Sequence, residues 1–442
     1  VMNPLPWHLS PPISWEMLAS HLDEAGFLWR QWKRALVAPD HVLNDVAGVE
    51  ARLLAHVDAL VLAGRKAATR LLVPALAEAD EPGRVECAAL GLLLQEDALD
   101  AAVRSVLEVL QAGEEGPCAG IQAALLCAGG RGLESWLRPM VDASPPPGGL
   151  ATLLEILGAW RVDPGPALEA SLTHEAAQVR AAAFRCLRSW PVRLSEATLE
   201  SGLRASSAEV SGAALEAGLL AGSRLAWWEC RRQVLEGGPH RQMALRALAV
   251  AGGPDAQKLL LEGLGDAARG TETLRVFGLV GTVETARACL EAMREPSWAP
   301  LAAESFSLVT GMEVPAVAPG VESGDEEAAV EFAPEETDLP LPDVSRAEAW
   351  WAEHAPRFKP TVRYVRGLPL GPVSLLDALR EGSMYRRRSL WWAVALRTRG
   401  ALGLGVGAWT RTQRAEEDAA RRLPPARFAQ SLEGGLGAWG GA

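Results

Sequence analysis

Seven histidines, six cysteines, a stretch rich in carboxylates and sixteen tryptophans are the side chains from which this chain could build chemistry. His8, His21, His41, His56, His174, His240 and His354 form no HExxH pair and share no repeated ligand spacing, so structural roles are expected and no metal site is predicted. Cys87, Cys118, Cys127, Cys186, Cys230 and Cys289 are scattered through apolar stretches without a CxxC. They are expected to be small buried hydrophobes in a reducing compartment. No GxxxxGK[ST], no GxGxxG after a strand and no GxSxG occurs, which leaves nucleotide binding and α/β-hydrolase chemistry without support. The glycine-rich run from Gly400 to Trp409 lacks a following lysine and a preceding strand, so it is not expected to cradle phosphate. Paired carboxylates act as acid and base only where a concave site separates their pKa values, and no such pair can be picked out. No catalytic residue, cofactor or metal is therefore expected.

The tryptophans stand out because only two tyrosines accompany them. Three pairs are adjacent, Trp227-Trp228, Trp350-Trp351 and Trp391-Trp392, and neighbours on a helix point about 100° apart. One ring of each pair can fill the core while the other faces outward. Trp buries a large area with few rotamers, which suits it to binding hot spots. The acidic stretch is the second candidate surface. Between Glu295 and Ser345 there is no Lys or Arg, and Glu313, Glu322, Asp325, Glu326, Glu327, Glu331, Glu335, Glu336, Asp338 and Asp343 fall there, with Pro315, Pro319, Pro334, Pro340 and Pro342. Like-charge repulsion and proline disfavour a packed core, so an extended linker is expected over 312–346, either a spacer or a dock for a basic partner. The candidate protein-contact residues are Trp227, Trp228, Trp350, Trp351, Glu326, Glu327, Glu335 and Glu336.

The elements that must position these residues are helices. Hydrophobic residues make up 49% of the chain, led by the helix formers Ala and Leu, and aromatics only 6%. Ala-rich stretches recur: Val85 opens VECAALGLLL, Val179 opens VRAAAFRCL, Val210 opens VSGAALEAGLL and His240 opens HRQMALRALAVAGG. The steps from Val179 to Val210 and on to His240 are about 31 residues, and Val85 stands about three steps earlier. Weaker copies lie at Pro117–Gly129, Gly148–Trp160, Thr271–Gly281 and Pro300–Gly311. A more charged helix precedes each copy, as at Ala68–Ala79, Ala101–Ala112, Ser195–Ala205 and Asp255–Leu264, with Gly and Pro marking the ends between. The expectation is an all-α fold, an α-solenoid of helix pairs over 67–311. Two amphipathic helices, His21–Ala38 and Leu43–Ala63, cap it within 1–66, and 347–442 forms a separate small helical C-terminal module.

The paired helices and the Val179-Arg180 heading an Ala-rich helix resemble HEAT and HEAT-like repeats of the phycobilisome-lyase type. The segments EAGFLWRQWKRAL, HVLNDVAGVEARLLAHVDALVLAG and RFKPTVRYVRGLPLGPVSLLDALREGSMYRRRSLWWAVALRTRG, in that order around the repeats, resemble an uncharacterised bacterial HEAT-repeat family often encoded with type VI secretion genes. That resemblance implies a non-catalytic scaffold or adaptor for a protein partner, such as a secretion effector or spike component. It carries no catalytic residues with it. Two rival functions are a HEAT-like lyase or modifying enzyme, and a nucleic-acid-binding HEAT-like protein. The second needs a basic groove, for which Arg231, Arg232, Arg386, Arg387 and Arg388 are candidates, although a net charge of −12 argues against it. No apolar run approaches a membrane span, Val1 to Pro12 shows no signal-peptide pattern, and a cytoplasmic location is expected.

Overall fold

The structure is a computed structural model that describes residues 14–78, 81, 83–95, 99–113, 115–130, 132–143, 145–265, 269–317, 336–401 and 405–428. Among them the chain is all-α, apart from one hairpin of two-residue strands and an isolated bridge. No helix there is long and apolar enough to cross a membrane. The chain divides into two compact units. One comprises Val1–Lys33 and Ala47–Ile156, the other Arg34–Val46 and Leu157–Ala442.

In the first unit, helix Trp15–Ala35 buries Leu18, Leu22, Ala25, Leu28, Trp29 and Trp32, an apolar stripe at three- and four-residue spacing. Arg84 at the start of helix Arg84–Leu93 pairs with Asp23, Glu78 and Glu81. The segment expected as one helix over Ala68–Ala79 is broken into a π-helical turn, Ala68–Leu72, followed by a short turn, Val73–Ala75, that carries Pro74. Proline removes the N–H that a regular helix would use, so the wider turn is a local accommodation. Helices Arg84–Leu93 and Glu115–Ala128 pack on one another, with Gly120 of the second against Val85 of the first.

In the second unit the helices anticipated from the repeat occur as Ala177–Leu187, Ala208–Ala221, Arg241–Ala251, Gly270–Val280 and Ala299–Thr310. Helix Ala177–Leu187 packs on Ala208–Ala221, Arg241–Ala251 packs on Gly270–Val280, and that helix packs on Ala299–Thr310. These helices bury many alanines (Ala181, Ala182, Ala214, Ala217, Ala244, Ala247), whose small side chains let packed helices approach closely. Ser and Thr side chains cap the starts of several helices in this unit. Ser195 Oγ accepts from the Thr198 N–H, Ser207 Oγ from Val210 and Thr282 Oγ1 from Thr285.

The compact units cut across the segments anticipated from composition. The division falls inside helix Pro147–Ala159, within the expected array, and residues 347–428 are built into the second unit rather than standing apart. The expected linker 312–346 is also ordered at both ends. Ala316 bridges Pro342, the Val317 N–H donates to the Leu341 carbonyl at 2.9 Å, and the Asp343 N–H donates to Pro315 at 2.7 Å. Acidic residues pack here because arginines from distant helices neutralise them, a compensation that a local charge count cannot register.

Candidate functional site

A helix leaves its last carbonyls without intrahelical donors, and its C-terminus carries partial negative charge. Helices Gly270–Val280 and Ala299–Thr310 end at Gly281 and Gly311, with φ of 73° and 78°. The chain after Phe358 runs across these ends. Residues Tyr364–Val365 and Leu368–Pro369 form the antiparallel hairpin, turned by Arg366 (φ 49°) and Gly367 (φ 77°) in a left-handed two-residue turn. The Tyr364 N–H donates to Gly281 O at 2.6 Å, Arg366 N–H to Leu308 O at 2.6 Å and Gly367 N–H to Val309 O at 2.9 Å. A Cβ at Gly281 or Gly311 would collide with the hairpin carbonyls of Tyr364 or Arg366, so both glycines are required by the approach as well as by φ.

Arg363 is the centre of this contact. Its Nε donates to Val280 O at 2.7 Å, Nη2 to Leu279 O at 2.7 Å and Ala249 O at 2.5 Å, and Nη1 to Val250 O at 3.2 Å. One guanidinium thus satisfies the terminal carbonyls of two adjacent helices. Arg397 Nη2 adds a bond to Val250 O at 2.7 Å. Burial, and secondarily the Arg397 charge, push Arg363 down to about 9, which leaves it charged at neutral pH. Farther along, Arg161 Nη2 donates to Gly400 O at 2.7 Å.

Helix Met384–Arg397 carries three consecutive arginines with three destinations. Arg386 forks onto both oxygens of Glu304 at 2.7 and 2.9 Å and reaches Glu313 at 2.7 Å. Arg387 is buried against Glu417, Gln413 and the Leu379 carbonyl. Arg388 turns into a small polar cleft in the second unit, about 60 Å³ in accessible volume, lined by Val37, Arg246, Arg275, Glu336, Met384, Tyr385, Arg388 and Ser389. Arg275 forks onto Glu336 through Nε and Nη2, both at 2.8 Å, and the Tyr385 hydroxyl donates to Glu336 Oε1 at 3.2 Å. Burial, then the neighbouring Glu336 and Glu304 charges, push the Tyr385 phenol far above its ordinary value, so it stays protonated.

The anticipated contact residues are dispersed. Trp227 is buried and Trp228 is 70% exposed on helix Arg224–Glu236. Trp351 is buried, and Trp350 is half-buried with its ring stacked on His354, centroids 4.3 Å apart at 7°. Both lie in a cluster with Phe306 and Phe358, so this pair is largely internal packing. Glu336 is buried in its ion pair, while Glu326, Glu327 and Glu335 lie outside the described residues. Of the arginines considered for a basic groove, Arg386 and Arg387 are internal ion-pair partners and Arg232 is tied to Glu229 and Glu236. All six cysteines are buried, and burial pushes the Cys127 thiol up to about 12.

No group of three or more His, Cys, Asp or Glu among the described residues is arranged to hold a metal ion. His21 and His56 approach through Nδ1 at 3.0 Å as an isolated pair. Sequence inspection passed over Arg246, Arg275 and Arg363 altogether. The signal available for Arg363 was only its place in the RFKPTVRYVRGLPLGP segment. Neither protein-family models nor curated proteins yield a match to this chain.

Proposed function

We propose that this protein is a non-catalytic scaffold or adaptor that binds a protein partner through its helical repeats. In this proposal the stacked helix pairs are HEAT-like units of an α-solenoid, whose long surfaces sum contacts over several repeats. The observation that carries the proposal is Trp228. Its ring is 70% exposed, and Leu235, two helical turns on along the same side, is 54% exposed. The adjacent Trp227 ring is buried with Ala226, Cys230 and Val234, so the helix is anchored and the exposed ring is presented from a rigid base. A large rigid aromatic with an aliphatic neighbour is the composition of a hot spot. The resemblance to HEAT-repeat proteins encoded with secretion genes suggests a secretion effector or spike component as the partner.

The test is purification from the native host of the wild-type chain and of a Trp228→Ala, Leu235→Ala variant. A stoichiometric protein that accompanies the wild type and is lost from a still-folded variant supports the proposal. A partner retained by the variant removes this face from the contact. Bare wild-type protein from gentle lysates at every salt concentration overturns the adaptor role.

A further inference from the structure

Two histidines meet in the first unit. His21 lies on helix Trp15–Ala35 and His56 on helix Leu43–Leu62, 35 residues apart in the chain, and their Nδ1 atoms are 3.0 Å from one another. The ring centroids are 5.0 Å apart with the planes at 62°, so the rings approach edge to edge through nitrogen rather than stacking. Each histidine stands beside the buried stripe of its own helix. Leu18, Leu22 and Ala25 are buried around His21, and Leu53, Val57 and Leu60 around His56. These neighbours fix the rotation of both helices, so the backbone holds the two rings in place before any ligand arrives. Both residues are half-buried, which keeps the pair within reach of water.

A neutral imidazole carries a proton on one nitrogen and a lone pair on the other. Two Nδ1 lone pairs cannot bond to each other, so without an ion one ring donates its Nδ1 proton and the other accepts it. A metal ion takes the place of that proton and accepts both lone pairs. Nitrogens about 2.0–2.1 Å from one ion, at angles between right and tetrahedral, lie about 2.9–3.4 Å apart, and the observed separation falls in that range. We propose that His21 and His56 chelate one divalent transition-metal ion through their Nδ1 atoms. The ion belongs to the class that prefers imidazole, which includes zinc, nickel and copper, and not to the oxygen-seeking class of magnesium and calcium. No third His, Cys, Asp or Glu completes a ligand set among the described residues, so water fills the remaining positions. Such a site is open and exchangeable, unlike the closed four-ligand sites of structural zinc. It ties the two helices together at the point where the histidines meet.

The proposal is tested on the full chain by calorimetric titration with zinc chloride and nickel chloride, read against magnesium chloride at matched ionic strength. Saturable heat is expected with zinc or nickel and none with magnesium. Thermal unfolding is a poor readout, because the six cysteines become accessible in the unfolded chain and would bind zinc there. His21→Asn and His56→Asn should each weaken binding about tenfold or more, since losing even an outer partner of a ligand costs about 10–100-fold. The control His41→Asn removes an imidazole that pairs with the adjacent Asp40, and it should bind as the wild type does. Modification by diethyl pyrocarbonate, located by mass spectrometry, reads the site in the unaltered protein. Zinc should protect His21 and His56 together and leave His174 as reactive as before. Three results overturn the proposal: no saturable heat with zinc or nickel, equal binding by His21→Asn and His56→Asn, or no protection of the two histidines by the metal. Any of them would leave the pair a hydrogen bond and nothing more.

Discussion

Replacing Arg363 by Met keeps an unbranched apolar stem and removes a guanidinium that donates to four carbonyls at the ends of two helices. Hydrogen bonds from a charged donor each contribute about 1.5–3 kcal/mol, so the gross interaction is about 6–12 kcal/mol. Taking the guanidinium out of water costs several kcal/mol, which the variant no longer incurs. The net loss is therefore expected at about 3–5 kcal/mol, the range found when one member of a buried charged network is removed. Urea unfolding followed by tryptophan fluorescence reads this directly. Only the transition of the second unit should move, by about 1–2.5 M at an m-value of about 2–3 kcal/mol/M. Arg363→Lys should recover part of the loss, since an ammonium is a point donor that cannot span four carbonyls. Arg397 shares the Val250 carbonyl and repels Arg363, so the two substitutions should not add. A midpoint for Arg363→Met within about 0.3 M of wild type would refute the view that this residue ties the helix ends together.

Glu417→Ala should destabilise the second unit by about 3–5 kcal/mol by stranding buried Arg387, whereas Arg387→Met with Glu417→Leu should come close to wild type in the same urea assay. Acid should weaken the protein through Glu313. Burial raises its pKa, but the Arg386 hydrogen bond and charge outweigh this and hold it below the ordinary 4.5. Its contribution is present above pH 4.5 and is lost as pH falls through the depressed folded value, so Glu313→Gln should flatten Tm below pH 4.5. His240 acts nearer neutrality. Burial lowers its pKa below 6.5, only partly opposed by Glu229, so the unfolded chain binds the proton first and stability declines as pH falls from 6.5. His240→Asn should remove that decline from a Tm series between pH 8 and pH 5. The six buried thiols should resist a disulfide reagent in the native protein and react together in guanidinium chloride.

The helices were legible because their signal is local. Val179, Val210 and His240 stand within two residues of the starts of helices Ala177–Leu187, Ala208–Ala221 and Arg241–Ala251, the second opened by the capping Ser207 and the third by the Gly238-Pro239 break. The split of each tryptophan pair was legible for the same reason at Trp227 and Trp228, since adjacent helical positions must diverge. The polar cleft was not. Arg275 and Glu336 are 61 residues apart, and Arg386 and Glu304 are 82 apart, with no periodicity linking them. Arg363 was hidden more deeply, because its partners are backbone carbonyls, which every residue possesses and no sequence distinguishes. The acidic stretch misled for a related reason: its ends are neutralised by arginines that a local charge count assigns elsewhere.

The hairpin and Arg363 also impose an order of assembly. The repeat helices meet partners about 30 residues away, so they can form and stack as soon as each pair leaves the ribosome. Their closing bonds come later, from residues 83 to 114 positions downstream for Arg363 and 239 for the Arg161–Gly400 bond. During that interval the ends of helices Arg241–Ala251 and Gly270–Val280 are uncovered, with their carbonyls facing water. A nascent chain stalled before Arg363 would present this edge to chaperones and to other copies of itself. Arrival of the hairpin and Arg363, rather than of any single helix, is the event that seals it.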